Sequence, residues 1–160
     1  MKLGIISDTH DNVPMIKKAV EVFNRVDVDV VLHAGDYVSP FSLIPLFSLE
    51  CDFLGVWGNN DGDKIALHRI AQGKIENSPY LESYGQKKIL LGHHFETLEA
   101  LILSQEFHFI IYGHTHQPEI RKEGKTLIVN PGECGGWLEG KSTIAIADLE
   151  SQTAEIIELT

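Results

Sequence analysis

Short apolar runs that stop abruptly at polar residues set the pattern of this chain. One covers residues 3–6 and ends at Ser7-Asp8. Another covers 28–32 and ends at His33-Ala34-Gly35-Asp36. A third covers 53–57 and ends at Gly58-Asn59, and a later one, 107–112, ends at Gly113-His114. Short apolar runs bounded by turn formers read as buried strands. Between the first two, Asn12-Val13-Pro14 opens a helix, because asparagine caps and proline is tolerated in the first turn. Met15, Ala19, Val22 and Phe23 then recur at helical spacing. Ser39-Pro40 is a second start of the same kind and predicts a helix to about residue 49. A helix over about 63–71 follows the third strand. Residues 80–84 and 88–91 read as two strands around Gly85, and 96–103 as a helix. From residue 119 the texture changes: 119–122, 126–129, 143–148 and 154–159 read as strands joined by turns, with no helix between them.

Strands that alternate with helices and then run on alone imply layered sheets with helices outside. The expected architecture is α/β: two sheets packed face to face and covered by helices, in one domain over 1–160. A length of 160 residues suits one sizeable core. The polar motifs all follow strands, and ligand sites in such folds gather at the carboxyl ends of strands.

Charge narrows the partners. Lys and Arg total 13 against 23 Asp and Glu, a net charge of −10. Such a chain does not capture nucleic acid electrostatically, so strong nucleic-acid binding is not expected. Affinity for phosphate has to come from local cations, which metal ions supply. The two cysteines, Cys51 and Cys134, read as reduced thiols of a cytoplasmic protein. No apolar run approaches the length of a membrane span, and the start is too short in apolar residues for a signal peptide.

The chemistry sits in the segments after the strands. Asp8-Thr9-His10 and His114-Thr115-His116 each offer two metal-capable side chains at i and i+2, which in an extended segment point the same way. Asp36 follows Gly35, where the backbone turns sharply, and its carboxylate has two oxygens with which to bridge two cations. Asn59 offers a neutral amide oxygen. A mixed set of imidazole and oxygen ligands suits Mn2+, Fe or Zn2+ better than Ca2+. Two ions about 3.5–4 Å apart clamp a phosphoryl group and turn a bridging water into hydroxide near neutral pH. That accounts for the lack of a Ser-His-Asp or Cys-His set, a P-loop or a GxGxxG motif.

The ordered set Asp8-x-His10, Gly35-Asp36, Gly58-Asn59, a later histidine and Gly113-His114-x-His116 resembles the calcineurin-like metallophosphoesterase superfamily. Ser7-Asp8-Thr9-His10-Asp11-Asn12, Gly58-Asn59-Asn60-Asp61, Asn130-Pro131-Gly132 and the small size resemble its stand-alone branch, the YfcE-type phosphodiesterases. The resemblance implies a four-layer α/β/β/α sandwich, a small phosphoester substrate and a binuclear centre, with Mn2+ first and Ni2+, Fe, Zn2+ or Co2+ as other occupants. By that likeness Asp8, His10 and His116 hold one ion, Asn59, His114 and one further histidine hold the other, and Asp36 bridges them. His114, His116 and Asn60 are the catalytic contacts to the phosphoryl oxygens. The likeness also implies a homo-oligomer, a dimer or a tetramer.

Two positions depart from the family pattern. Many members carry histidine where Asn60 stands, and asparagine is not a general acid near neutral pH. Modest activity, best on good leaving groups, is therefore expected. The further histidine is also displaced: in Leu90-Leu91-Gly92-His93-His94, ungapped matching puts Leu91 at the ligand position. His93 is the first choice to fill it and His94 the second. An inactive scaffold of the same fold, as a retromer subunit is, remains the alternative, but loss of ligands would be its sign and six of seven positions match directly. His33, inside an apolar strand, reads as a core or supporting residue and Cys134 as a small buried side chain. Trp137, after a glycine-rich loop, reads as packing or as facing a substrate or a partner. Asp11 and Asn12 read as serving the turn and the helix cap.

Overall fold

A computed structural model describes residues 1–160. The chain runs β1 (Lys2–Ile6), α1 (Val13–Val26), β2 (Val30–His33), β3 (Asp52–Val56), α2 (Lys64–Ala71), β4 (Ile75–Glu76), β5 (Tyr80–Tyr84), β6 (Lys87–Leu91), α3 (Leu98–Ser104), β7 (Phe109–Ile111), β8 (Glu119–Glu123), β9 (Thr126–Asn130), β10 (Ser142–Asp148) and β11 (Thr153–Leu159). The apolar runs of β1 and β2 are unbroken because both faces of these strands are covered, as parallel strands require. A six-stranded sheet has the order β11-β10-β1-β2-β3-β4, and a five-stranded sheet the order β5-β6-β7-β9-β8.

Leu3, Ile5, Leu32 and Val56 of the first sheet meet Ile89, Leu91, Phe109, Ile111 and Val129 of the second, and this is the central core. On the outer face of the first sheet, Ile16, Ala19, Val20 and Phe23 of α1 and Leu67 and Ala71 of α2 cluster with Val31, Ile144 and Ile146. On the outer face of the second, Ile102 of α3 packs with Leu90, Ile110 and Ile128. The layers are therefore α/β/β/α, as the alternation and the resemblance imply. No helix is long and apolar enough to cross a membrane.

The helix caps lie where the sequence puts them. Asn12 Oδ1 accepts from Met15 N at 3.4 Å, and Asp63 Oδ1 accepts from Ala66 N at 3.0 Å. The helix expected from Ser39-Pro40 to about residue 49 is a correction: the segment forms two 3-10 turns, Pro40–Ser42 and Pro45–Ser48. Pro45 lacks an N–H and its ring blocks the preceding turn, so the first coil cannot continue through it. The short edge strand β4 carries no alternation from which it could be read.

Turns after β1, β2, β3, β6, β7 and β9 converge at one end of the sandwich. Asp8 N donates to Gly35 O at 3.0 Å, Gly113 N to His93 O at 3.0 Å, and Cys134 N to Ser7 O at 2.9 Å. These bonds tie loops of the two sheets into one floor.

Candidate metal centre

The backbone of this floor is bent at the residues that carry chemistry. Asp8, His10, Asp36, His114 and His116 have φ of 51°, 40°, 62°, 66° and 62°. That left-handed region is uncommon without glycine, although Asp, Asn and His tolerate it best. The expected i, i+2 geometry of an extended segment is thus corrected. Asp8 and His10 converge because both residues turn the chain, and so do His114 and His116. Backbone bonds hold the turn in place: Thr9 N and His10 N both donate to Asp36 O, at 3.1 and 3.2 Å.

Two groups of donors result. In the first, Asp8 Oδ1 lies 3.7 Å from His10 Nε2 and 3.5 Å from His116 Nε2. In the second, Asn59 Oδ1 lies 2.8 Å from His93 Nε2 and 2.9 Å from His114 Nδ1, and those two nitrogens are 3.3 Å apart. Asp36 Oδ2 stands between the groups, 3.6 Å from His10 Nε2 and 3.4 Å from His93 Nε2. Every residue named as a ligand from the sequence is in this cluster. Of the two alternatives for the further histidine, His93 is buried inside it. His94 is exposed and lies with its ring against that of His114. Leu91 ends β6 in the central core.

The arrangement fits divalent cations. Asp8 Oδ1 and His10 Nε2 are buried and have no hydrogen-bond partner. His93 Nδ1 faces the Ala34 carbonyl at 2.8 Å, so it carries a proton, and Nε2 is aimed at the oxygens of Asn59 and Asp36. Burial opposes a second proton there, but the Asp36 carboxylate outweighs it and raises this imidazole, so a metal ion would bind Nε2 by displacing that proton. Nitrogen and oxygen lone pairs converging in this way call for positive charge between them, which a bound metal ion supplies in place of protons. The buried carboxylates Asp8, Asp36 and Glu133 pair only with histidines, and no lysine or arginine neutralises them. Burial would raise the Asp36 carboxyl, but His93 and two bonds from Asn60 hold it well below the usual carboxylate range. Partial burial and the neighbouring His93 and His94 lower the His114 imidazole, which keeps it in the neutral form that binds metal.

Three supporting residues complete the cluster. Asn60 donates its backbone N–H to Asp36 Oδ1 at 2.8 Å and its side-chain amide to Asp36 Oδ2 at 2.7 Å. Glu133 accepts from His116 Nδ1 at 2.9 Å, which turns Nε2 toward Asp8. Asp61 accepts from Tyr37 N, Val38 N and Gly58 N at 2.7, 2.9 and 2.7 Å, locking the loop of Asn59 to the loop of Asp36. Sequence reasoning missed Glu133 and Asp61. Asp61 stood inside a quoted motif, but a turn aspartate carries no mark of what it ties. Glu133 had one usable signal, an acidic residue in an otherwise small and apolar loop.

Gly58 makes the close approach possible: a Cβ there would lie 2.1 Å from Asp36 Oδ1 and 2.4 Å from Asp36 N. We expect Gly58→Ala to cost about 1–3 kcal/mol of stability, since the backbone of the Asp36 loop has to move. An unchanged denaturant midpoint would refute this.

His33 lies beneath the floor as a supporting residue. Nδ1 accepts from Gly35 N at 3.1 Å, so Nε2 carries the proton, toward Thr9 Oγ1 at 3.3 Å. Burial pushes its imidazole down to about 3 from 6.5. A depressed native pKa means that between these values the unfolded chain binds a proton the native chain does not. Stability is fully present above about pH 6.5 and is lost as pH falls toward 3, at roughly 1.4 kcal/mol per unit. Urea unfolding between pH 4.5 and 7 should show a shallower pH slope in His33→Asn. Equal slopes would exclude the residue as the cause.

The remaining residues fall into place around the centre. Cys134 is fully buried. Asp11 accepts from Ser39 Oγ and Ser42 Oγ at 2.7 and 2.9 Å, and Asn12 Nδ2 donates to Gly135 O at 2.7 Å, so both serve the turn.

Comparison with known proteins places the chain in a family. The profile of the calcineurin-like phosphoesterase superfamily domain matches residues 1–152. A phosphodiesterase of Methanocaldococcus jannaschii is 39% identical over 158 residues, covering 95% of each chain. Phosphodiesterase YfcE of Escherichia coli is 27% identical over 152 residues, covering 82% of this chain and 78% of its own. A solved archaeal phosphodiesterase superposes with a TM-score of 0.91 at 38% identity, covering 99% of this chain and 100% of its own. With its layers, its histidine and carboxylate cluster and these relatives together, the chain belongs to the calcineurin-like phosphoesterase superfamily, a family of metal-dependent hydrolases.

Proposed function

We propose that this chain is a binuclear metal-dependent phosphodiesterase. Asp8, His10 and His116 hold one ion, Asn59, His93 and His114 the other, and Asp36 bridges the two. The observation that carries the proposal is Asp36 Oδ2, which faces a histidine nitrogen of each group at 3.6 and 3.4 Å. When bound, two divalent ions supply a hydroxide nucleophile at neutral pH and neutralise charge on the phosphoryl oxygens.

The chain's own residues position these parts. Asn60 and His93 orient Asp36, and Glu133 orients His116. His114 and Asn60 are the catalytic contacts that meet charge developing on the phosphoryl oxygens. His116, read as a third from the sequence, has Nδ1 on Glu133 and Nε2 toward the ion, so it acts as a ligand alone. Asn60 has a second amide N–H for that contact. With no histidine at position 60 the leaving group departs without a proton from that position, which favours stable leaving anions such as aryl oxides. A diester is favoured over a monoester because no lysine or arginine lines the cleft to meet a second negative charge. Two relatives named phosphodiesterases support the same choice. Mn2+ is the proposed ion, with Ni2+, Fe, Zn2+ and Co2+ as other occupants of a mixed nitrogen and oxygen set. The net charge of −10 supports a small substrate over nucleic acid. Exposed Phe41, Ile44 and Phe47 support a homo-oligomer, a dimer or a tetramer, and two free cysteines support a cytoplasmic protein.

The test is to strip the protein with chelator, restore Mn2+ and follow bis(p-nitrophenyl) phosphate and p-nitrophenyl phosphate. We expect turnover that depends on metal, is faster on the diester and saturates at two ions per chain. No turnover with any divalent ion, or saturation at one, would overturn the proposal.

A further inference from the structure

The cleft above the donor groups has a wall that the metal chemistry does not use. The cleft measures about 410 Å³ and is lined by His10, His116 and Asn60 together with Val38, Trp137 and Leu138. Trp137 is 64% and Leu138 74% exposed. Large apolar groups left together in water at the mouth of a polar site call for a ligand that covers them.

The indole is held in place. Its Nε1 donates to His10 O at 3.1 Å, and its Cδ1 lies close enough to Gly135 that a Cβ there would be 2.9 Å away. The next two residues are anchored on Glu133 Oε1, by Leu138 N at 2.8 Å and Glu139 N at 2.6 Å. Oε2 of the same carboxylate receives His116 Nδ1. The apolar shelf and a donor histidine therefore share one buried support. A fixed, largely open aromatic surface beside a phosphate site is a stacking platform, and a planar ring gains most from it. No lysine or arginine lines the cleft, so a polyphosphate tail finds no partner there.

We infer that the substrate is a mono-anionic phosphodiester with a planar aromatic ester group, an aryl or nucleobase-bearing one, seated on Trp137 and Leu138. The inference rests on the phosphodiesterase reading above. Trp137 is then a specificity-determining residue.

Two non-hydrolysable monoanions of equal charge test it: methyl phenylphosphonate and methyl methylphosphonate, as inhibitors of bis(p-nitrophenyl) phosphate hydrolysis by the Mn2+-restored protein. The phenyl compound should inhibit about 10-fold more tightly. In Trp137→Ala that ratio should fall to within about twofold, and Trp137→Phe should keep most of it. Binding should also quench tryptophan emission. Trp57 is the one other tryptophan, so Trp137→Ala should abolish the quenching. Equal inhibition by the two compounds, a ratio that survives Trp137→Ala, or a Trp137→Phe variant that behaves like the alanine variant would overturn the inference while intact turnover leaves the phosphodiesterase reading standing. Loss of all turnover with every divalent ion would remove both.

Discussion

Asp36→Asn should lower kcat/KM on bis(p-nitrophenyl) phosphate by about 10³-fold, the scale on which one preorganised charged group acts. The change is nearly isosteric and leaves an oxygen to accept from Asn60 N, now 2.8 Å from Asp36 Oδ1. It removes the negative charge that faces His10 and His93 at 3.6 and 3.4 Å. An amide in that place either points N–H groups at lone pairs or offers a single neutral oxygen to the gap between the donor groups. One of the two ions should be lost, so metal content should fall below two per chain as activity falls. Circular dichroism should stay unchanged, since the surrounding loops keep their backbone bonds. Activity within tenfold of the parent would mean that the carboxylate does not bridge.

Glu133→Gln should weaken Mn2+ binding by about 10–100-fold without removing any ligand. Glu133 is fully buried. Burial favours its neutral form, but the N–H groups of Glu139 and Leu138 and the His116 imidazole bring its pKa below the usual carboxylate value, so it stays ionised. Its Oε2 fixes the proton of His116 on Nδ1. Glutamine either sets an N–H against that proton or flips, and then turns it on the N–H groups of Leu138 and Glu139. The imidazole is freed to adopt the other tautomer, in which Nε2 carries hydrogen and cannot coordinate. High Mn2+ should restore most of the turnover. The exposed neighbour in Glu139→Gln should behave as the parent. Unchanged affinity in Glu133→Gln would show that His116 is oriented by something else.

Most of the fold was legible because the apolar runs are short, unbroken and closed by polar residues at the sheet ends. The residues of the cluster were legible for the same reason: Asp8, Asp36, Asn59 and His114 each follow a strand, so their types and order carry the signal. What escaped was set by contacts distant in sequence. Glu133 meets His116 across 17 residues, and Asp61 meets Tyr37 across 24. The choice between His93 and His94 turned on where β6 stops and how Gly92 bends, which periodicity does not report. The helix expected after Ser39 failed on Pro45, a residue visible in the sequence but outweighed by a good start signal. Convergence of Asp8 with His10 was anticipated for a wrong reason, strand alternation in place of a turned backbone.

The left-handed residues around the centre have one more consequence. Positions 8, 10, 36, 114 and 116 admit aspartate, asparagine and histidine at low backbone cost and disfavour branched side chains. Those three types also differ from one another in charge and in softness as ligands. Exchanges among them alter the electronic character of the centre while the scaffold stays intact. The same backbone that restricts these sites thus leaves metal preference free to drift, and a descendant of this chain could change its ion without rebuilding its fold.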